Sequence, residues 1–153
     1  MKAEYINSFY SAIQDVFKLM LDLDVERGNL EVVEGLISSK EANVVLGVSG
    51  DLKGSILFSF TKPMALEMVK IMAGMEMNEI DNFVSSALGE VANIVGGHAV
   101  TNLTEYNYTC DIVPPQVIIG EYKSLSMASE KALVISMNTD IGEFSISIFL
   151  SEK

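Results

Sequence analysis

The chain holds one cysteine, Cys110, and one histidine, His98, among 153 residues. A single cysteine excludes an intrachain disulfide, and no Cys/His cluster is available for zinc. Any Ser-His-Asp or Cys-His triad would have to run through His98. Neither a G-x-S-x-G turn nor a cysteine in a recognisable catalytic setting accompanies it. Walker-type and G-x-G-x-x-G loops are absent. No apolar run approaches the ~20 residues that a membrane span requires. Basic residues are also scarce: ten Lys and Arg stand against 21 Asp and Glu, a net charge of −11 with a pI near 4.4. Nucleic acid and anionic membranes are poor partners for such a surface, because basic side chains supply most of that affinity. The first 23 residues do not read as a signal peptide, since Asp15 and Lys18 interrupt the apolar stretch and no small-residue cleavage site follows. A cytoplasmic location is therefore expected.

What the chain has in quantity is apolar surface: 49% hydrophobic residues, nine of them Met, with a mean hydropathy of +0.32. Its length suits one domain, residues 1–153, with a core that needs neither disulfide nor metal. The apolar excess suggests that some of it is buried between chains.

Periodicity divides the chain into clustered elements. Ile6, Phe9, Ile13, Val16, Phe17, Met20 and Leu21 predict an amphipathic helix over residues 3–23, punctuated by Gly28 and Asn29. Strand-like stretches follow at Leu30–Ile37, Ala42–Val48 and Ser55–Phe60, the last two joined by a turn through Gly50-Asp51-Leu52-Lys53-Gly54. In Ser55–Phe60, Ile56, Phe58 and Phe60 alternate with Ser55, Leu57 and Ser59. Thr61-Lys62-Pro63 starts a helix that Gly74 stops. After a polar linker comes a helix from Asn82 to about Asn102. Strands are then expected at Thr109–Val113, Gln116–Gly120, Lys131–Asn138 and Gly142–Leu150, with Pro114-Pro115 breaking the first two. Strands clustered in this way predict an α+β fold, a mainly antiparallel sheet packed with amphipathic helices. The order of a helix followed by strands occurs about twice, a weak internal duplication.

The helix from Asn82 carries the most informative pattern. Ser86, Glu90, Asn93 and Gly97 fall at steps of four, three and four, and so stack on one face. Val84, Leu88, Val91 and Val95 repeat the same steps about 200° around the axis. One face is built for a core; the other presents a carboxylate beside a carboxamide. Gly97 leaves the backbone of that second face open to close approach. A helix needing only solubility would use Lys and Glu there, so the sparse stripe reads as a surface that meets something.

Ser-x-x-x-Glu-x-x-Asn, here Ser86-Ala87-Leu88-Gly89-Glu90-Val91-Ala92-Asn93, resembles the signature of the CheC/CheX/FliY phosphatases of bacterial chemotaxis. In that family a Pro follows about twenty residues later, where this chain has Pro114 and Pro115. The run Leu88–Gly97 is similar to the family's central helix, and length and element order look CheX-like. The resemblance implies an enzyme that dephosphorylates the phosphoaspartate of a CheY-type response regulator. It makes Glu90 and Asn93 the catalytic pair: Asn93 orients the attacking water and Glu90 docks to the regulator's lysine. Ser86 and Gly97 become candidate partner contacts. It implies no metal or cofactor held by this chain, with Mg2+ on the regulator, and a homodimer with strands exchanged or extended between subunits. The competing reading is a catalytically weak CheX-like module that binds a receiver domain or a flagellar switch component. The first helix, from Ser11, offers Asp15 and Lys18 where a second motif would need Glu and Asn, so one site per chain is expected.

That chemistry suits the absences. Phosphoryl transfer depends mainly on positioning and charge neutralisation. An uncharged amide both donates and accepts hydrogen bonds, enough to hold one water. The remaining conspicuous residues have plainer readings. Gly89, Ala92 and Gly96 form a small-residue seam for close packing, and His98 falls at the boundary of the core. Cys110 is expected as a small buried hydrophobe. Met64, Met68, Met72, Met75 and Met77 are expected as helix core, and Glu76–Asp81 as a solvated loop.

Overall fold

The computed structural model describes residues 2–37, 40–120 and 125–152, with side chains described outside 35–37 and 125–130. The elements run α1 (Ala3–Leu21), β1 (Glu26–Ile37), β2 (Ala42–Gly50), β3 (Leu52–Phe60), α2 (Lys62–Ala73) and α3 (Asn82–Leu103). A 3-10 turn (Thr104–Tyr106) leads on to β4 (Cys110–Ile112), β5 (Gln116–Ile119), β6 (Leu125–Thr139) and β7 (Gly142–Glu152). The strands form a seven-stranded sheet in the order β1-β6-β7-β3-β2-β4, with β5 also pairing with β2. Each of these pairings is antiparallel. The expected α+β architecture is what forms. No helix among the described residues is long and apolar enough to cross a membrane.

The three helices share one core with one face of the sheet. Phe9, Ile13, Val16 and Phe17 of α1, Met64 and Met68 of α2, and Val84, Leu88, Val91 and Val95 of α3 are buried there. They meet Leu46, Ile56, Phe58, Phe60, Ile135, Phe144, Ile146 and Ile148 from the strands. Phe144 stacks on Phe17 with ring centroids 5.0 Å apart and tilts against Phe60 at 5.2 Å. Such aromatic pairs add about 0.5–1.5 kcal/mol beyond the area they bury.

Helix boundaries follow the chemistry of their ends. Thr61 Oγ1 accepts from the Met64 N–H, and Gly74 closes α2 in the left-handed region at φ 71°. Asp81 Oδ1 accepts from the Val84 N–H at 2.9 Å and so fixes the first turn of α3. The α1 terminus differs from the sequence expectation. The helix ends at Leu21, where Asp22 adopts φ 52° and its N–H reaches the Lys18 carbonyl. Gly28 and Asn29 instead lie inside β1, where the register against β6 skips between Arg27 and Leu30. A Cβ on Gly28 would stand 2.9 Å from Asn138 Nδ2, so glycine suits this bulge.

Ser55–Phe60 forms a strand as its alternation predicts, and both of its faces are covered: Leu57 and Ser59 are as buried as Ile56 and Phe58. Leu57, Ala132 and Phe149 make a second, smaller cluster with Val33 and Val45 on the other side of the sheet. The buried hydroxyls of Ser59 and Ser147 lie in neighbouring rows of that side, without a partner among the described residues. Met75 is exposed, unlike Met64 and Met68, because it follows the Gly74 cap and has left the helix. In the loop after it the acidic side chains are solvated as expected, with Glu76 and Glu79 paired with Lys70 and Lys62 of α2 at 3.2 and 2.9 Å, whereas Met77 and Ile80 pack against the core.

The ends of the described chain are tied together by one tyrosine. Tyr108 Oη donates to Glu152 at 2.9 Å and lies 3.1 Å from Glu4 Oε1, while Lys2 Nζ reaches Glu152 at 2.6 Å and Tyr108 Oη at 3.2 Å. The Tyr108 ring also meets Tyr5 edge-on. The start of α1, the exit of α3 and the end of β7 thus converge on a single side chain.

Candidate functional site

Helix α3 is interior on one side and outward-facing on the other. Val84, Leu88, Val91, Val95 and Ala99 are buried, joined by Gly89, Ala92 and Gly96 of the small-residue seam. Ser86 and Glu90 are exposed, and Asn93 and Gly97 are half-buried. The stripe therefore faces outward, as its spacing predicts.

The seam explains the orientation. A Cβ on Gly96 would run into Leu46 Cδ2 and stand 3.0 Å from Ile112 Cδ1, so β2 and β4 press directly on the helix backbone. At Gly89 the same test gives an ordinary 3.5 Å to Val117 Cγ2 and 3.8 Å to Pro115 Cγ. This contact turns the buried arc of α3 toward the seam and carries His98 off the core. His98 is exposed, contrary to the boundary or core position expected for it. Cys110 lies in β4, free and buried, as expected.

The strand side of α3 supplies the second wall. Ser85, Ser86, Gly89, Glu90 and Asn93 face Ile112, Pro114, Pro115 and Val117 across a groove of about 510 Å³. Val113 N–H donates to the Gly47 carbonyl at 2.9 Å and anchors the proline segment to β2. Prolines suit such a wall, with φ fixed and no N–H left unsatisfied at a solvent-facing edge. The motif residues and the downstream prolines are thus brought together. Gly97 lies one turn beyond the groove lining, with nothing within 4 Å of a Cβ placed on it. Ile112 and Val117 were not singled out from sequence; the one available signal was their position flanking Pro114-Pro115.

Among the described residues, no hydrogen bond or ion pair engages the side chains of Ser86, Glu90 or Asn93. The bonds near them belong to other groups, such as Asp81 at the cap and Thr101 Oγ1 donating to the Gly97 carbonyl. A free carboxylate and a free carboxamide, one turn apart on a helix held by the core, are preorganised for a partner. The carboxylate can accept from a cation. The carboxamide can donate and accept at once. Among the described residues no group of three or more His, Cys, Asp or Glu could hold a metal ion.

Comparison with known proteins places the chain in a family. The profile of the family "Chemotaxis phosphatase CheX" matches residues 42–138, which include the α3 stripe and the proline wall. The CheY-P phosphatase CheX of Thermotoga maritima is 29% identical over 121 residues, 78% of each chain. A Borrelia burgdorferi CheX, solved as a CheX–CheY–BeF3–Mg2+ complex, is 30% identical with a TM-score of 0.81, covering 97% of this chain and 98% of that one. A Desulfovibrio desulfuricans CheX is 28% identical with a TM-score of 0.86, covering 98% and 99%. The chain belongs to the CheX family of chemotaxis phosphatases.

Proposed function

We propose that this protein removes the phosphoryl group from the phosphoaspartate of a CheY-type response regulator, with Asn93 and Glu90 as the working pair. The observation that carries the reading is the disposition of those two side chains. They stand one turn apart, accessible and unengaged, on a helix whose other side is locked into the core. The Thermotoga relative named CheY-P phosphatase and the Borrelia CheX–CheY complex support the choice of substrate.

The docked receiver brings the phosphoaspartate, a lysine and Mg2+. Glu90 pairs with the lysine and seats α3 against the receiver's active site. Asn93 enters beside the phosphorus, its carboxamide oxygen accepting from a water and its NH2 donating to a phosphoryl oxygen. The water oxygen bonds to phosphorus as the bond to the aspartyl oxygen breaks. Free carboxylate and inorganic phosphate leave, and the water's proton passes to phosphate or solvent. Holding a reactant in line can supply several kcal/mol without any covalent chemistry from the protein. Ser86 and Gly97 contribute contact, the first beside Glu90 and the second by allowing close approach.

A homodimer belongs to the same reading. Edge strand β1 leaves Leu30 and Val32 49% and 61% exposed, an apolar row suited to a second copy. Light scattering should give twice the chain mass.

The decisive experiment is phosphate release from receivers charged with a small acyl phosphate. Asn93→Ala should lower the rate at least ~100-fold with its unfolding midpoint unchanged. A wild-type rate in that variant refutes the mechanism. A wild-type protein that protects the phosphorylated receiver would instead identify a binding module.

A further inference from the structure

Helix α3 has 22 residues and a single charged side chain, Glu90, in a protein with 21 acidic and ten basic residues. Depletion of charge on an accessible face is a mark of the centre of an interface. One large apolar side chain on the helix breaks the burial pattern. Val84, Leu88, Val91, Val95 and Leu103 are buried, and Ile94 and Val100 pack against the core. Phe83 does neither and is 47% exposed.

Its position on the helix is not arbitrary. Phe83, Glu90 and Gly97 are spaced by seven residues, within about 20° of one line for each step. Ser86 and Asn93 fill the intervening positions, giving steps of three and four from Phe83 to Gly97. This is how a helix presents anchors to a groove on a partner. The backbone that holds Phe83 is fixed by the Asp81 cap, whose carboxylate takes the Val84 N–H at 2.9 Å. The preceding loop is drawn to α2 through Lys62–Glu79 and Lys70–Glu76. An exposed phenyl ring on so rigid a support loses little entropy when it is covered.

We propose that Phe83 is an apolar docking anchor for the same phosphorylated receiver, setting affinity while Asn93 sets turnover. This rests on the receiver reading above. The match is one of charge and apolar surface along a single line. The lone Glu90 carboxylate meets the receiver's lysine, and Phe83 covers an apolar patch roughly 10 Å from it, the rise of seven helical residues.

The test separates the two readings by measuring binding apart from turnover. Calorimetric titration with receivers carrying beryllofluoride and Mg2+ gives Kd, and phosphate release gives KM and kcat. For Phe83→Ser, Kd and KM should both rise about tenfold with kcat within about twofold of wild type, and Phe83→Leu should recover most of the loss. An unchanged Kd overturns the proposal, as does a fall in kcat at unchanged Kd. Loss of the folded circular dichroism spectrum in Phe83→Ser would make Phe83 a core residue and overturn it too. If wild type binds a receiver but releases no phosphate, the phosphatase reading fails while the Kd comparison still decides Phe83. Wild type binding no receiver from its own genome defeats both.

Discussion

Leu46 of β2 occupies the space that a Cβ on Gly96 of α3 would need. Leu46 is wholly buried and so cannot withdraw cheaply, and half-buried Ile112 stands 3.0 Å from the same Cβ. Gly96→Ala should therefore destabilise the protein by about 1–3 kcal/mol, the usual result of overpacking a tight contact. Urea denaturation would measure it. A variant as stable as wild type would mean that β2 is not pressed on the helix at that point.

The adjacent glycine should behave in the opposite way. No atom lies within 4 Å of a Cβ on Gly97. Gly97→Ala removes a poor helix former, so stability should hold or rise by up to ~1 kcal/mol. The added methyl would stand on the face proposed to meet the receiver, and on that reading KM should rise. A more stable protein with weaker recognition is a combination that a purely structural glycine would not give.

Glu90→Lys should act on docking. On the proposed pairing, replacing the one charge of α3 by its opposite sets like charges against each other at the receiver's lysine. KM should rise at least ~10-fold, with unfolding free energy within about 0.5 kcal/mol of wild type because the side chain is exposed. Steady-state kinetics at fixed ionic strength would check this, and an unaltered KM would remove Glu90 from the role assigned to it.

The Tyr108 cluster gives stability a pH dependence. Hydrogen bonding to Lys2, then to Tyr108, holds the Glu152 carboxyl below its ordinary value of 4.5. A carboxyl lowered in the folded state stabilises the fold above its unfolded value, and that contribution is lost as pH falls through the folded one. Lys2 is raised, chiefly by its hydrogen bond to Glu152, so its own contribution persists through neutral pH and is lost only in strong alkali. Wild type should lose thermal stability faster than Glu152→Gln as pH falls below the ordinary carboxyl value of 4.5. The difference should shrink with added salt, since the pair is exposed. Parallel melting curves for the two proteins would contradict the assignment.

The stripe on α3 was legible in sequence because helical spacing alone fixes which residues share a face. Glu90 and Asn93 needed no tertiary information to be placed together and outward. The groove's far wall did need it: Ile112 and Val117 reach α3 only because β4 and β5 both pair with β2. His98 was misplaced for a related reason, since the seam at Gly89, Ala92 and Gly96 rotates the buried arc beyond what Val84, Leu88, Val91 and Val95 indicate. In the sheet, Phe144–Phe149 and Ser55–Phe60 showed their alternation plainly. The first part of β6, residues 125–130, lacks β-branched and aromatic residues and gave no strand signal, although its backbone pairs with β1 at Ser126 and Leu125. Gly28 and Asn29 carry turn chemistry that a bulge within a strand can use as readily as a helix terminus.

Because α3 divides between an inward and an outward half, the positions proposed to choose a partner are separate from those that hold the molecule together. A library randomised at Phe83, Ser86 and Gly97 should stay folded almost throughout while sampling many recognition surfaces. Divergence in which regulator is served could then proceed by surface drift alone, leaving the interior untouched.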